Sequence, residues 1–91
     1  MIEWDESKRL SNLHKHGFDF LRAEDVLYGS HIVINSTYQG SEQRFLAVGT
    51  IEGRYATVVY TMRDGNYRII SIRSARDGER RRYQALHSGR N

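Results

Sequence analysis

The side chains best equipped for chemistry are arginines, with a few carboxylates and imidazoles. Arg44, Arg63, Arg68 and Arg73 lie in the central stretch, Arg80-Arg81-Arg82 near the end, and Glu42 and Glu79 beside them. A guanidinium is a planar fork that matches phosphate geometry, where lysine offers only a point charge. Clustered arginines therefore point to anion or phosphate binding, whereas arginines on an open sheet face can equally be ordinary solvated residues. Glu42 and Arg44 could likewise be a surface ion pair of little energetic worth. The four histidines do not form a metal set. His14 and His16 diverge by about 200° on a helix, and His31 and His87 are far away in sequence. With no cysteine there is no disulfide framework and no thiolate metal site. The eight glycines read as turns and caps, and none forms a phosphate-cradling loop.

The elements that must position these groups are read from capping residues and periodicity. Ile2-Glu3-Trp4 is a short strand and Asp5 an N-cap. A helix from Glu6 to His16 follows, closed by Gly17, with Leu10 and Leu13 as its apolar residues. Lys15 and His16 sit in its last turn, where the helix dipole favours cations. A second helix begins at Asp19, carries Phe20, Ala23 and Leu27 on one stripe, and ends at Gly29. His31–Asn35 is β-rich, and Ser36 to Ser41 is a polar loop. Strands follow over Arg44–Ile51, Tyr55–Arg63 and Tyr67–Arg73. Their close spacing predicts antiparallel hairpins, since parallel crossovers need a dozen residues or more. Ser74 caps a last helix that runs to about His87 and turns Arg80-Arg81-Arg82 outward. The expected fold is α+β: two N-terminal helices, an antiparallel meander of three to four strands, and a C-terminal helix.

Register assigns the faces. A Glu52-Gly53 turn pairs Phe45 with Tyr60 and Ala47 with Val58. A three-residue loop at Asp64-Gly65-Asn66 pairs Arg63 with Tyr67, Tyr60 with Ile70, and Val58 with Ile72. The result is one oily face and one mixed face bearing Glu42, Arg44, Arg63 and Arg73. Arg68 falls on the oily face, where Glu79, on the inner stripe of the last helix with Tyr83 and Leu86, is its expected partner. Arg80 and Arg81 read as a solvated helix face or a phosphate-steering edge.

Composition sets the frame. The 91 residues are read as one domain over 1–91, 38% hydrophobic and 27% charged, with a net charge of +3 that permits a nucleic-acid partner without requiring one. No apolar run approaches the ~20 residues of a membrane span. The acidic, broken start is no secretory signal, and the expected location is cytoplasmic, with no membrane contact.

The ordered set Trp4-Asp5, Lys8, Asn12, Lys15-His16-Gly17, Phe20, Ala23, Glu42-x-Arg44, Gly49, Tyr60-Thr61-x-Arg63, Arg68-Ile69-Ile70-Ser71-x-Arg73, Ala75 and Glu79-Arg80-Arg81-Arg82-Tyr83 resembles the BrnT toxin family of bacterial type II toxin–antitoxin modules. The resemblance covers nearly the whole chain. It implies a fold like that of the RelE ribonucleases and RNA cleavage that arrests growth. It also implies neutralisation by a BrnA-like ribbon-helix-helix antitoxin, contact with operator DNA only through that antitoxin, and higher-order toxin–antitoxin assembly. On that reading RNA is cut without metal or other cofactor, by its own 2′-hydroxyl. Arg44, Arg63 and Arg73 clamp the phosphate, Glu42 serves as base and His16 as acid, and Lys15, Arg80 and Arg81 bind RNA. Ile72, Ser74 and Asp77-Gly78 depart from the family pattern. They keep open an inactive toxin that acts as corepressor; the other alternative is a non-catalytic binding module whose arginine face holds an acidic segment of the antitoxin or a nucleic-acid backbone.

Overall fold

A computed structural model describes residues 1–87. The order is β1 (Ile2–Glu3), α1 (Glu6–His16), a 3-10 turn (Phe20–Arg22), α2 (Ala23–Leu27), β2 (Ile32–Asn35), β3 (Phe45–Ile51), β4 (Arg54–Arg63), β5 (Asn66–Ser74) and α3 (Asp77–His87). The strands form one five-stranded sheet in the order β1-β5-β4-β3-β2. It is mixed, because β1 runs parallel to β5, with Ile2 beside Tyr67 and Glu3 beside Arg68. The expected antiparallel meander of three to four strands is therefore corrected. A two-residue strand carries no periodicity, so its pairing is invisible in sequence. No helix among the described residues is long and apolar enough to cross a membrane.

Capping chemistry sets α1 where expected. The Asp5 carboxylate accepts from the Ser7 and Lys8 N–H groups, and Gly17 closes the helix at φ +77°. Its inner face is a different matter. Leu10 and Leu13 are 54% and 39% exposed, and Asn12 is the buried residue of this helix. The Asn12 amide donates to the Phe18 and Ile72 carbonyls at 2.9 Å each, and its oxygen accepts from the Ile72 N–H at 3.2 Å. One side chain thus satisfies the edge of β5 beyond the end of β1, as a neighbouring strand would. The second helix is shorter than expected: Asp19 caps a 3-10 turn, and α2 has five residues.

One sheet face meets Phe18, Phe20, Ala23, Val26 and Leu27 through Ala47, Ala56, Val58, Tyr60, Ile69 and Ile72, and this is the main core. Ile72, one of the departures from the family pattern, is fully buried there. α3 covers only one end of the opposite face, over Val48 and Thr57, both fully buried. Tyr55 meets Tyr83 edge-on at 5.9 Å on that side. Leu86, expected on the inner stripe of α3, is 72% exposed. Ser74 does not cap α3, since it is the last residue of β5, paired with Ala56.

The β3–β4 register follows expectation, with Phe45 opposite Tyr60 and Ala47 opposite Val58. The β4–β5 register does not. Asp64 and Gly65 both have positive φ, 53° and 80°, and form a two-residue turn of the type that matches hairpin twist. Arg63 then faces Asn66, and Thr61 faces Arg68. The ladder shifts between Tyr60, opposite Ile69, and Val59, opposite Ser71. Ile70 is the unpaired extra residue of a β-bulge, and the bulge restores Val58 opposite Ile72.

Candidate active site

The bulge decides which arginines share a face. On β5, Arg68 lies on the side of Thr61 and Arg63, while Ser71 and Arg73 lie on the side of Val59 and Thr57. These residues of β4 alternate onto one face, so Arg63, Arg68 and Arg73 all project to the side away from the main core. Arg68 was expected on the oily face, and the correction follows directly from the two-residue turn.

Arg44, Arg63 and Arg68 converge on a depression of about 150 Å³ that is also lined by Asp5, Lys8, Glu42 and Thr61. Thr61 is its buried floor, and its hydroxyl donates to the Gln43 carbonyl at 2.7 Å. This anchors the segment that carries Glu42 and Arg44. The lining sets four cations against two carboxylates, and both carboxylates are already engaged. Asp5 accepts from the Ser7 hydroxyl and the first N–H groups of α1, which hold its carboxyl below the usual range. Glu42 accepts from Arg63 Nη2 at 2.7 Å and Nε at 3.2 Å, and the Arg63 hydrogen bond holds it low as well. Arg68 Nη1 makes one long contact, 3.4 Å, to Glu3. Arg44 makes no ion pair among the described residues, and its guanidinium lies 3.6 Å over the Tyr38 ring. The depression therefore has cationic donors to spare for an anion.

Arg73 is placed differently from the other three. Its two terminal nitrogens donate to the two oxygens of Glu79 at 2.8 and 2.9 Å, and the pair is 16% and 11% exposed. The Thr57 hydroxyl and the Arg76 N–H also donate to Glu79, at 2.7 and 2.9 Å. Burial pushes this carboxyl up, but the hydrogen bonds from Arg73, Arg76 and Thr57 outweigh it and bring it to about 2. Glu79 sits in the first turn of α3 and reaches back to the residue before it, half of a capping box. That contact, not Ser74, starts the helix. The expected Arg68–Glu79 pair is thus replaced by Arg73–Glu79.

Lys15 and His16, at the end of α1, line a second depression of about 180 Å³ with Lys8, Ser11, Ile70 and Ser71. It adjoins the arginine site, since Lys8 and Ile70 line both. Arg80 and Arg81 are exposed on α3 and line neither, and Arg80 makes a loose 3.5 Å contact to Asp77. Sequence reasoning left out Lys8 and Arg68 from the site. The signal for Arg68 was available in Asp64-Gly65, whose preferred turn sets it opposite Thr61. Lys8 is marked in the sequence only as one of the residues that carry the family resemblance. No group of three or more His, Asp or Glu among the described residues is arranged to hold a metal ion.

Two comparisons with known proteins bear on this geometry. Residues 4–79 match the family model described as the ribonuclease toxin BrnT of type II toxin–antitoxin systems. The fold is similar to the crystal structure of the Brucella abortus ribonuclease toxin BrnT, at 32% identity and a TM-score of 0.66, covering 84% of this chain and 96% of that one. No curated protein matches the chain. The family match runs from Trp4, just after β1, through the first turn of α3, and so contains every residue of the arginine depression. The chain belongs to the BrnT family of ribonuclease toxins of type II toxin–antitoxin systems.

Proposed function

We propose that this toxin is a metal-independent endoribonuclease whose phosphate clamp is Arg44, Arg63 and Arg68, with Lys8 beside them. The observation that carries this reading is the convergence of the three guanidinium groups on one 150 Å³ depression with its carboxylates already engaged. In the reaction the RNA 2′-oxygen forms a bond to phosphorus and the bond to the 5′-oxygen breaks, so a proton leaves the first oxygen and reaches the second. Negative charge gathers on the phosphoryl oxygens, and fixed guanidinium donors stabilise it without reorganisation. Glu42, gripped through both oxygens, orients Arg63 and is a weak proton acceptor. His16, in the adjoining depression, relays the proton. Lys15 and Lys8 hold the neighbouring backbone phosphate. Arg73 is a positioning residue that fixes the end of β5 to α3, and Arg80 and Arg81 contribute long-range attraction.

A type II module pairs such a toxin with an antitoxin. We assign the partner as BrnA-like, with a ribbon-helix-helix part through which the pair reaches operator DNA. The support for this is the family resemblance.

The test is direct. Purified protein incubated with single-stranded RNA and a chelator is expected to give fragments ending in 2′,3′-cyclic phosphate. RNA left intact under those conditions, or cleaved only when divalent cation is restored, contradicts the proposal.

A further inference from the structure

Beyond the clamp lies a larger groove that the reaction itself does not use. It runs between the 36–41 segment and β5, encloses about 560 Å³, and meets the arginine depression at Arg44 and Ile70. That volume is within the range of sites that enclose small organic ligands, about 300–1,000 Å³. Its floor is apolar, from Leu46, Val59 and Ile70. One wall carries Tyr38, which is 46% exposed and has the Arg44 guanidinium 3.6 Å over its ring. A Cβ at Gly40 would run into that ring, so glycine there leaves room for the ring to lie back on the loop. Thr37 lines the groove and its hydroxyl makes no hydrogen bond among the described residues, whereas Asn35, opposite Phe45, turns its side chain to the core side of the sheet. Arg76, which forms no ion pair among the described residues, closes the far end.

An apolar floor, an exposed aromatic ring backed by a cation, and an unused hydroxyl are parts from which proteins build single-stranded base sites. Bases stack on aromatic and guanidinium planes and present their edges to hydrogen-bonding side chains. Ile70 adds a divider. As the bulge residue it lines all three depressions: the clamp, the His16 end and this groove. An apolar post at that junction keeps two successive bases from stacking on each other.

We propose that this groove is a nucleobase subsite for the nucleotide next to the scissile phosphate. Its base stacks on Tyr38, its edge is read by the Thr37 hydroxyl, and it is split from its neighbour by Ile70. The proposal rests on the ribonuclease reading but has its own readouts.

The experiment compares wild type with Tyr38→Ala and Thr37→Ala in two arms. Both side chains are exposed, so melting temperatures should match wild type. In the first arm a random-sequence single-stranded RNA is digested and the cut ends are mapped. In the second, affinity is measured for a labelled 2′-O-methyl RNA, which binds without being cut. Wild type is expected to prefer one base type beside the cut. Thr37→Ala should flatten that preference, and Tyr38→Ala should weaken 2′-O-methyl RNA binding about fivefold to a hundredfold. If wild type cuts and both variants keep its preference and affinity, the subsite is overturned while the ribonuclease stands, and the groove is left to a protein occupant. If wild type cuts nothing, the ribonuclease reading fails and the binding arm decides alone. Weakened binding by Tyr38→Ala then supports the subsite, and unchanged binding overturns it.

Discussion

Arg68 shows how one residue of register changes a side chain's work. Reading by alternation alone put Arg68 in the core against Glu79 and Arg73 on the open face; Arg68 moves to the open face, and Arg73 keeps that face but takes Glu79 as its partner. The Glu79 carboxyl, brought to about 2 from an ordinary value of 4.5, is worth roughly 3 kcal/mol of stability at neutral pH. Its folded value is depressed, so that stability is complete above the unfolded value and is lost as pH falls from about 5 towards 2. Glu79→Gln should therefore lower the urea midpoint at pH 7 and flatten its decline between pH 5 and pH 3. Glu79→Ala leaves the half-buried Arg73 unpaired and should lower Tm by more than about 10 °C. A Gln variant as stable as wild type at pH 7, with the same acid sensitivity, would show that the network contributes nothing.

The elements were legible where a local signal fixed them and illegible where a distant one did. Asp5 and Gly17 bracket α1 by their own chemistry, and Glu52-Gly53 fixes the β3–β4 register within a few residues. β1 is too short to carry a pattern and finds β5 across more than sixty positions. Leu10 and Leu13 are the apolar residues of α1, but the helix docks through the amide of Asn12, and a lone asparagine gives no periodic signal. Its three buried hydrogen bonds span α1, the turn after it and β5. Asn12→Ala strands the Ile72 N–H and two carbonyls and should cost about 2–4 kcal/mol. Asn12→Asp should be no better, because its oxygens would face the Phe18 and Ile72 carbonyls. Urea unfolding checks both, and amide exchange at Ile72 should quicken in each. Unchanged midpoints would mean that α1 is held by other contacts, such as the 2.9 Å bond from Arg9 to Asp19.

At the scale of the molecule, the sheet divides the labour. One face is spent on the core, α3 closes one end of the other face, and the remainder is a cationic surface between the ends of α1 and the 36–41 segment. A net charge of +3 is mild for a protein that meets RNA; what distinguishes this surface is concentration, four cations around one small depression. Family membership was legible in the order of the motifs. The proposed clamp was legible in part: Arg44 and Arg63 fall on one face by alternation, Arg68 joins them through the two-residue Asp64-Gly65 turn, and the bulge at Ile70 keeps Arg73 on that face as well. The most direct test is the rate of RNA cleavage in chelator by Arg68→Ala, set beside its melting temperature. Loss of one preorganised donor should slow cleavage about a hundredfold or more while Tm stays within a few degrees of wild type. Cleavage by Arg68→Ala at the wild-type rate would contradict the account.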